Sequence, residues 1–210
     1  MTAATRLSVF PLAGALLLPR AHLPLHIFEP RYRALVRDAL ARDRRIAMIQ
    51  PRPGEEGDSP ALFDVGCVGR IAQVEALPDG RFNLVLEGVT RFRLVQEMEV
   101  TTPFRQVMAS FADFAGDEAE DQPVLASVLR ADLEREARAY AEAHGYAIDW
   151  DAVGRLDDET LVNAIAQVAP FDVAAKQALL EARDVPERAD LLAQLLRFFG
   201  SGDGEDATLQ

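Results

Sequence analysis

Cysteine, lysine, tryptophan and histidine are scarce: the 210 residues hold one Cys, one Lys, one Trp and three His. The lone thiol, Cys67, excludes an intramolecular disulfide and agrees with a reducing compartment. Lys176 is the only lysine, and no G-x-x-x-x-G-K-[ST] run exists to cradle a nucleotide phosphate. No apolar run approaches the roughly 20 residues that cross a bilayer. The stretch from Leu7 to Leu18, behind Arg6, imitates a signal peptide, but Pro11 interrupts it and Pro19-Arg20 stands where small residues should precede cleavage. The segment reads as folded and the protein as cytoplasmic. Positive charge is also short, with a net charge of −12. Residues 1–110 carry 14 arginines against 12 acidic residues, whereas 111–210 carry 8 basic against 22 acidic, a jump that suggests two units of different character. An acidic total opposes tight general binding of nucleic acid, because phosphates need a positive contact surface.

What is present is a globular composition, 49% apolar and 27% charged, with ample length for a core. The stretch Leu23-Pro24-Leu25-His26-Ile27-Phe28-Glu29-Pro30-Arg31-Tyr32-Arg33 reads as a short buried strand stopped by Pro30, which then opens a helix. Tyr32, Leu35, Val36, Ala39 and Leu40 repeat at helical spacing and give that helix one apolar face. Strands are expected at 7–10, 44–49, 63–76, 81–95 and 99–111. Pro78-Asp79-Gly80 turns the 63–76 and 81–95 pair into a hairpin. Gly88 marks a bulge or bend. Residues 115–123, polar, acidic and ended by Pro123, read as a linker. Beyond them the period is helical, with Asp157, Asp172 and Asp184 placed as caps and Glu187 completing a capping-box spacing. The polar stretch 201–210 is expected to be a disordered tail. The expected architecture is therefore α+β. A small, nearly closed β-barrel with an inserted helix covers 1–115, and an all-helical bundle follows over 123–200.

Three pieces occur in a specific order: Phe10-Pro11-Leu12, then Leu23 to Tyr32, then Gly66-Cys67-Val68-Gly69-Arg70-Ile71 with Leu77 to Leu84 and Leu86 to Phe92. Together they resemble the N-terminal substrate-binding domain of Lon-type ATP-dependent proteases, and still more the stand-alone bacterial proteins built on that domain alone. Leu179-Leu180-Glu181 and Asp184-Val185-Pro186-Glu187-Arg188 resemble the helical bundle that follows in the same family. The resemblance spans about residues 6–199. It implies a PUA-like barrel followed by a helical subdomain, a region that in full-length Lon helps recognise unfolded or tagged substrates and helps hold the hexamer. The ATPase and the Ser–Lys peptidase of full-length Lon have no counterpart in these residues, so protease activity does not carry over.

Other chemistry weighs little. His22 and His26 have a metal-ligating spacing only on a helix, and Pro24 lies between them. Lys176 falls on the expected solvent side of its helix, and no serine sits in a Gly-flanked strained turn to make a dyad with it. Asp157-Asp158-Glu159 is explained by a helix start, and Glu118, Glu120 and Asp121 by a solvated linker. Arg42, Arg44, Arg45, Arg91 and Arg93 could line a nucleic-acid surface, but alternation sends Phe92 inward and both flanking arginines out to water.

Two features stand out. The loop Ala13 to Pro19 holds more leucine than a surface connection needs. Either it closes the barrel end, or it leaves Leu16, Leu17 and Leu18 as an apolar patch beside Phe28 and Tyr32, suited to extended peptide. The last helix is apolar on more than one stripe, which makes Leu192, Leu195, Phe198 and Phe199 a candidate partner interface. The expectation is a non-enzymatic protein-binding module without cofactor or metal. It takes unfolded or apolar polypeptide, or adapts clients to a protease, or self-associates, with no membrane partner. An RNA-binding PUA-like module is the alternative.

Overall fold

The computed structural model describes residues 4–54, 59–119 and 124–200. The expected tail at 201–210 and the end of the expected linker at 120–123 lie outside them. The fold is α+β, and the chain divides into two compact units, Met1–Glu120 with Phe171–Leu180, and Asp121–Pro170 with Glu181–Gln210.

The first unit holds strands β1 (Thr5–Pro11), β2 (His22–Ile27), β3 (Arg45–Pro51), β4 (Leu62–Ala76), β5 (Phe82–Met98) and β6 (Gln106–Ser110), with helix α1 (Pro30–Ala41) between β2 and β3. The sheet order is β2-β5-β4-β3-β1-β6, and β5 pairs again with β6. Five strands thus form a ring, and β2 stands outside it, paired only with β5. Val9, Ala47, Ile49, Val68, Phe92, Val107 and Ala109 fill the ring's interior. Burying Phe92 alone is worth about 3 kcal/mol. The long β4–β5 hairpin serves both the ring and the β2 extension because its register shifts between Val68 and Gly69 and again between Ile71 and Gln73.

Several expectations need correction. The strand expected at 99–111 is shorter: β5 runs on to Met98, and Thr101-Thr102-Pro103 breaks the chain before Gln106. The β2 strand is not a buried one. It is a sheet edge with only Ile27 fully buried, which suits Pro24, a residue with no N–H to give a second neighbour. Arg91 points inward. Its side chain is 4% exposed and meets the Asp117 carboxylate, itself 8% exposed, at 2.7 Å. Strict alternation failed because it assumes water on one face of β5. Here the 3-10 turn Ala112–Phe114, the chain up to Asp117 and the end of helix α5 (Val173–Glu181) cover that face.

Helix α5 was expected inside the all-helical region 123–200, yet residues 171–180 belong to the first unit. Asp172 caps it, accepting from Ala175 N at 2.7 Å. Polar contacts then lock it to the strands. Gln177 Nε2 donates to the Val65 carbonyl at 3.1 Å, Gln50 Nε2 donates to Gln177 Oε1 at 3.1 Å, and Arg91 Nη1 donates to the Leu180 carbonyl at 3.1 Å.

The second unit contains α2 (Ser127–Ala143), α3 (Trp150–Val153), α4 (Asp158–Val168) and α6 (Val185–Gly200). Leu133, Ala137, Leu161, Val162, Ala189, Leu192 and Leu196 are buried. The caps follow the sequence: Asp157 accepts from Thr160 N at 2.9 Å, and Asp184 accepts from Glu187 N at 2.9 Å while Glu187 accepts from Arg183 N at 2.6 Å. Val128 and Val168, which the helical period places inward, are exposed, one near the start of α2 and the other at the end of α4.

Removing one member of a sealed ion pair leaves the other charged and unsolvated. Arg91→Ala or Asp117→Ala should cost about 3–5 kcal/mol in urea unfolding. The double replacement Arg91→Met with Asp117→Leu should recover most of that loss. Single variants as stable as the parent would show that the pair is not sealed in solution.

Candidate functional site

The barrel-end loop resolves the first open question. Leu16, Leu17 and Leu18 are all buried, so they do not form the proposed peptide-binding patch. The loop is fastened onto β5 at Gly88, where Arg20 N donates to the Gly88 carbonyl at 2.8 Å and Gly88 N to the Ala21 carbonyl at 2.9 Å. A Cβ at position 88 would stand 1.9 Å from the Leu18 carbonyl oxygen, so only glycine allows this approach. The leucines pack inside the first unit, Leu17 against Gly69. Tyr32 is buried too. Its ring lies 4.1 Å from that of Phe10, its hydroxyl donates to the Pro11 carbonyl at 3.3 Å, and burial pushes its pKa above the ordinary tyrosine value.

Of the five residues proposed for peptide binding, Phe28 remains on the surface, 60% exposed. It follows β2 directly, where Pro30 turns the chain into α1 and leaves the ring no cover. His26 stacks near it, ring centroids 6.2 Å apart. Beside it β2, β5 and β4 present an open face. Pro24, His26, Gln73, Glu75, Asn83 and Val85 line a shallow groove of about 530 Å3. His26 Nδ1 lies 2.7 Å from Asn83 Oδ1, and Asn83 Nδ2 donates to Glu75 Oε2 at 3.0 Å, a polar ladder across three strands. The far edge of β2 pairs with no described strand. An unpaired edge beside an exposed aromatic ring can take an extended peptide by main-chain hydrogen bonds and one apolar anchor.

The second unit has a surface that sequence reasoning missed. Tyr146, Ile148, Trp150, Ile165, Val168 and Leu196 line an apolar groove of about 430 Å3. Tyr146 stacks on His144, which stacks on Tyr140, and the Arg138 guanidinium lies 4.4 Å from the centre of the Trp150 ring. The signal was the aromatic run Tyr146-Ala147-Ile148-Asp149-Trp150, which has no helical period. The proposed interface on α6 is thinned. Leu192 is buried within its own unit, Leu195 and Phe199 are half-buried, and Phe198 is 72% exposed.

The charged candidates are structural. Asp158 accepts from Leu125 N at 2.7 Å and pairs with Arg130, and these contacts hold its carboxyl below the usual carboxylate range. Arg91 and Arg93, the flanks of the nucleic-acid reading, pair with Asp117 and Asp113 at 2.7 and 2.6 Å. Among the described residues no group of three or more His, Cys, Asp or Glu is arranged to hold a metal ion, and no helix is long and apolar enough to cross a membrane. Lys176, expected in solvent, is buried and donates from Nζ to the Gly14 carbonyl at 2.9 Å.

Residues 6–197 match the family described as the ATP-dependent protease La (LON) substrate-binding domain. The chain is 28% identical over 196 residues to Lon protease 2 of Myxococcus xanthus, covering 90% of this chain and 23% of that protein. It is 27% identical over 202 residues to Lon protease 2 of Herpetosiphon aurantiacus, covering 93% and 24%. The chain thus spans about a quarter of the length of these relatives. In fold it is similar to the Lon N-terminal domain protein from Xanthomonas campestris, with TM-score 0.65, 23% identity, and 92% of this chain and 98% of that one covered. It is also similar to the N-terminal domain of the Mycobacterium avium complex Lon protease, with TM-score 0.64, 19% identity and coverage of 95% and 100%.

Burial lowers the Lys176 pKa from the ordinary lysine value. The unfolded chain then binds the proton more tightly than the folded one, so stability rises as pH climbs from the lowered value towards about 10.4 and is flat below that window. Urea unfolding at a series of alkaline pH values should show this rise in the parent and lose it in Lys176→Met. Parallel profiles would place the ammonium in water.

Proposed function

The chain belongs to the LON substrate-binding domain family, and on that footing we propose that it is a non-catalytic, cytoplasmic polypeptide-binding module. It captures unfolded or apolar segments, or adapts clients to a protease. The observation that carries this reading is the exposed Phe28 at the end of β2, whose outer edge pairs with no described strand. The five-strand ring with one inserted helix supports reading the barrel as PUA-like, and α2, α3, α4 and α6 support reading the rest as the helical subdomain. Capture works by area and by backbone. Covering the Phe28 ring supplies about 2 kcal/mol, and main-chain bonds along β2 fix the direction of the bound segment without selecting its sequence. The burial of Arg91 against Asp117 weakens the RNA alternative, because that guanidinium is not left for a phosphate or a base, while Arg93 is drawn to the exposed Asp113. Phe198, edge-on to Phe199 at 5.2 Å, is the proposed contact for a second copy or a protease partner.

Leu17→Asp or Tyr32→Asp would unfold the barrel end and report nothing about binding. Phe28→Asp is the informative change. Titrated against a fluorescently labelled, chemically unfolded protein, it should bind at least about tenfold more weakly with an unchanged circular dichroism spectrum. Undiminished binding would remove Phe28 from the surface. For the α6 contact, Phe198→Asp should shift sedimentation velocity towards a smaller species. An identical profile would leave α6 without a role in assembly.

A further inference from the structure

The outer face of α1 and the β4–β5 turn converge. Leu77 to Arg81 form a tight turn in which Gly80 N donates to the Leu77 carbonyl at 2.9 Å, and Gly80 has φ +79, a conformation that glycine adopts without strain. Over this glycine lie two guanidinium groups. The position a Cβ would take is 2.3 Å from Arg33 Nη2 and 3.5 Å from Arg37 Nη2. Both cationic ends therefore stand within 3.5 Å of one point, and glycine leaves room for them. They are also four residues apart on one helix, the spacing at which like charges repel.

A carboxylate would be the ordinary remedy, and the nearby ones are already taken. Glu29 pairs with Arg31, Asp38 with Arg42, and Asp79 with the Arg81 side chain and backbone N–H, which holds its carboxyl below the usual range. Neither Arg33 nor Arg37 makes an ion pair with a described residue. Arg33 Nε is sealed from solvent and has no hydrogen-bond acceptor among the described residues, so packing wedges it in place. Arg37 leans towards the Phe82 ring at 5.9 Å. Two permanent, adjacent positive charges with unused donors are out of keeping with a chain of net charge −12.

We propose that Arg33 and Arg37, closing over Gly80, form a binding site for one phosphate dianion. The chemistry selects phosphate over carboxylate. A carboxylate neutralises one guanidinium, whereas a phosphate dianion neutralises both and offers enough oxygens for two forks at once. A free phosphate ion and a phosphorylated side chain on another molecule share this group. The site is independent of the polypeptide-binding reading.

The test is calorimetric titration of the whole chain with inorganic phosphate, O-phosphoserine and acetate at low ionic strength. Saturable one-to-one binding of phosphate is expected, weakened at least tenfold by Arg37→Gln and by Arg33→Gln and unchanged by Arg31→Gln. Arg37 is exposed, so its variant keeps the fold even where Arg33→Gln does not. Phosphoserine binding at least as tightly as inorganic phosphate identifies a phosphorylated partner as the source, and tighter binding of the free ion identifies phosphate itself. No saturable binding, binding indifferent to Arg37→Gln, or acetate equal to phosphate overturns the proposal.

Discussion

The first unit depends on an arginine and an aspartate removed from water together. Arg91 reaches Asp117 through Nε and Nη2, its backbone N–H donates to the same carboxylate at 2.8 Å, and its remaining nitrogen donates to the Leu180 carbonyl. The guanidinium also lies 4.7 Å from the centre of the Phe114 ring. Desolvating two such ions is costly and is offset only when nearly every lone pair and proton is used. Here one residue joins strand β5, the chain after β6 and the end of α5. A fork spreads its donors over two sides of a plane, whereas the three donors of a lysine ammonium all leave from one nitrogen.

That junction decides what the first unit can offer a partner. Once α5 and the 112–117 segment cover one face of β5, and the leucine loop is fastened at Gly88, Leu16, Leu17 and Leu18 are withdrawn from the surface. Gln50 ties these pieces together, accepting from Gly14 N at 2.9 Å and donating to Gln177. What lies outside the closure is β2. Its Pro24 keeps it an edge, and Pro30 ends it so abruptly that Phe28 is left in water. The exposed aromatic is a consequence of where the chain must turn.

The parts legible in the sequence were those fixed by neighbours along the chain. Pro30 opening α1, the Pro78-Asp79-Gly80 turn, the hairpin, and the caps at Asp157, Asp172 and Asp184 each need only a few adjacent residues. The parts that were not legible depend on distant segments. Nothing near Arg91 announces Asp117, and nothing in the helical period of 173–181 says that the helix leaves its neighbours for the strands. The candidate site divides the same way. Phe28 was named as a neighbour of the leucine loop, and it stays exposed at the corner where Pro30, two residues on, starts α1. The burial of Leu16, Leu17 and Leu18 follows from Gly88, some 70 positions along the chain. The groove at Trp150 was missed because a short helix and its preceding loop carry no period to read.

The two candidate surfaces are chemically complementary in what they would take from a polypeptide. The β2–β5–β4 face is polar, with His26, Asn83 and Glu75 already hydrogen-bonded to one another, so its own side chains compete little for a guest. What it offers a guest is the outer main chain of β2, which pairs with no described strand and which can bond to the main chain that every polypeptide has. The groove on the second unit is the reverse. Its walls are the apolar side chains of Tyr146, Ile148 and Trp150, set on the loop after α2 and the start of α3, and they favour apolar side chains over exposed main chain. A folded protein hides most of its strand edges and large apolar side chains. An unfolded one shows both, so a module with one surface for each would discriminate by conformational state and not by sequence.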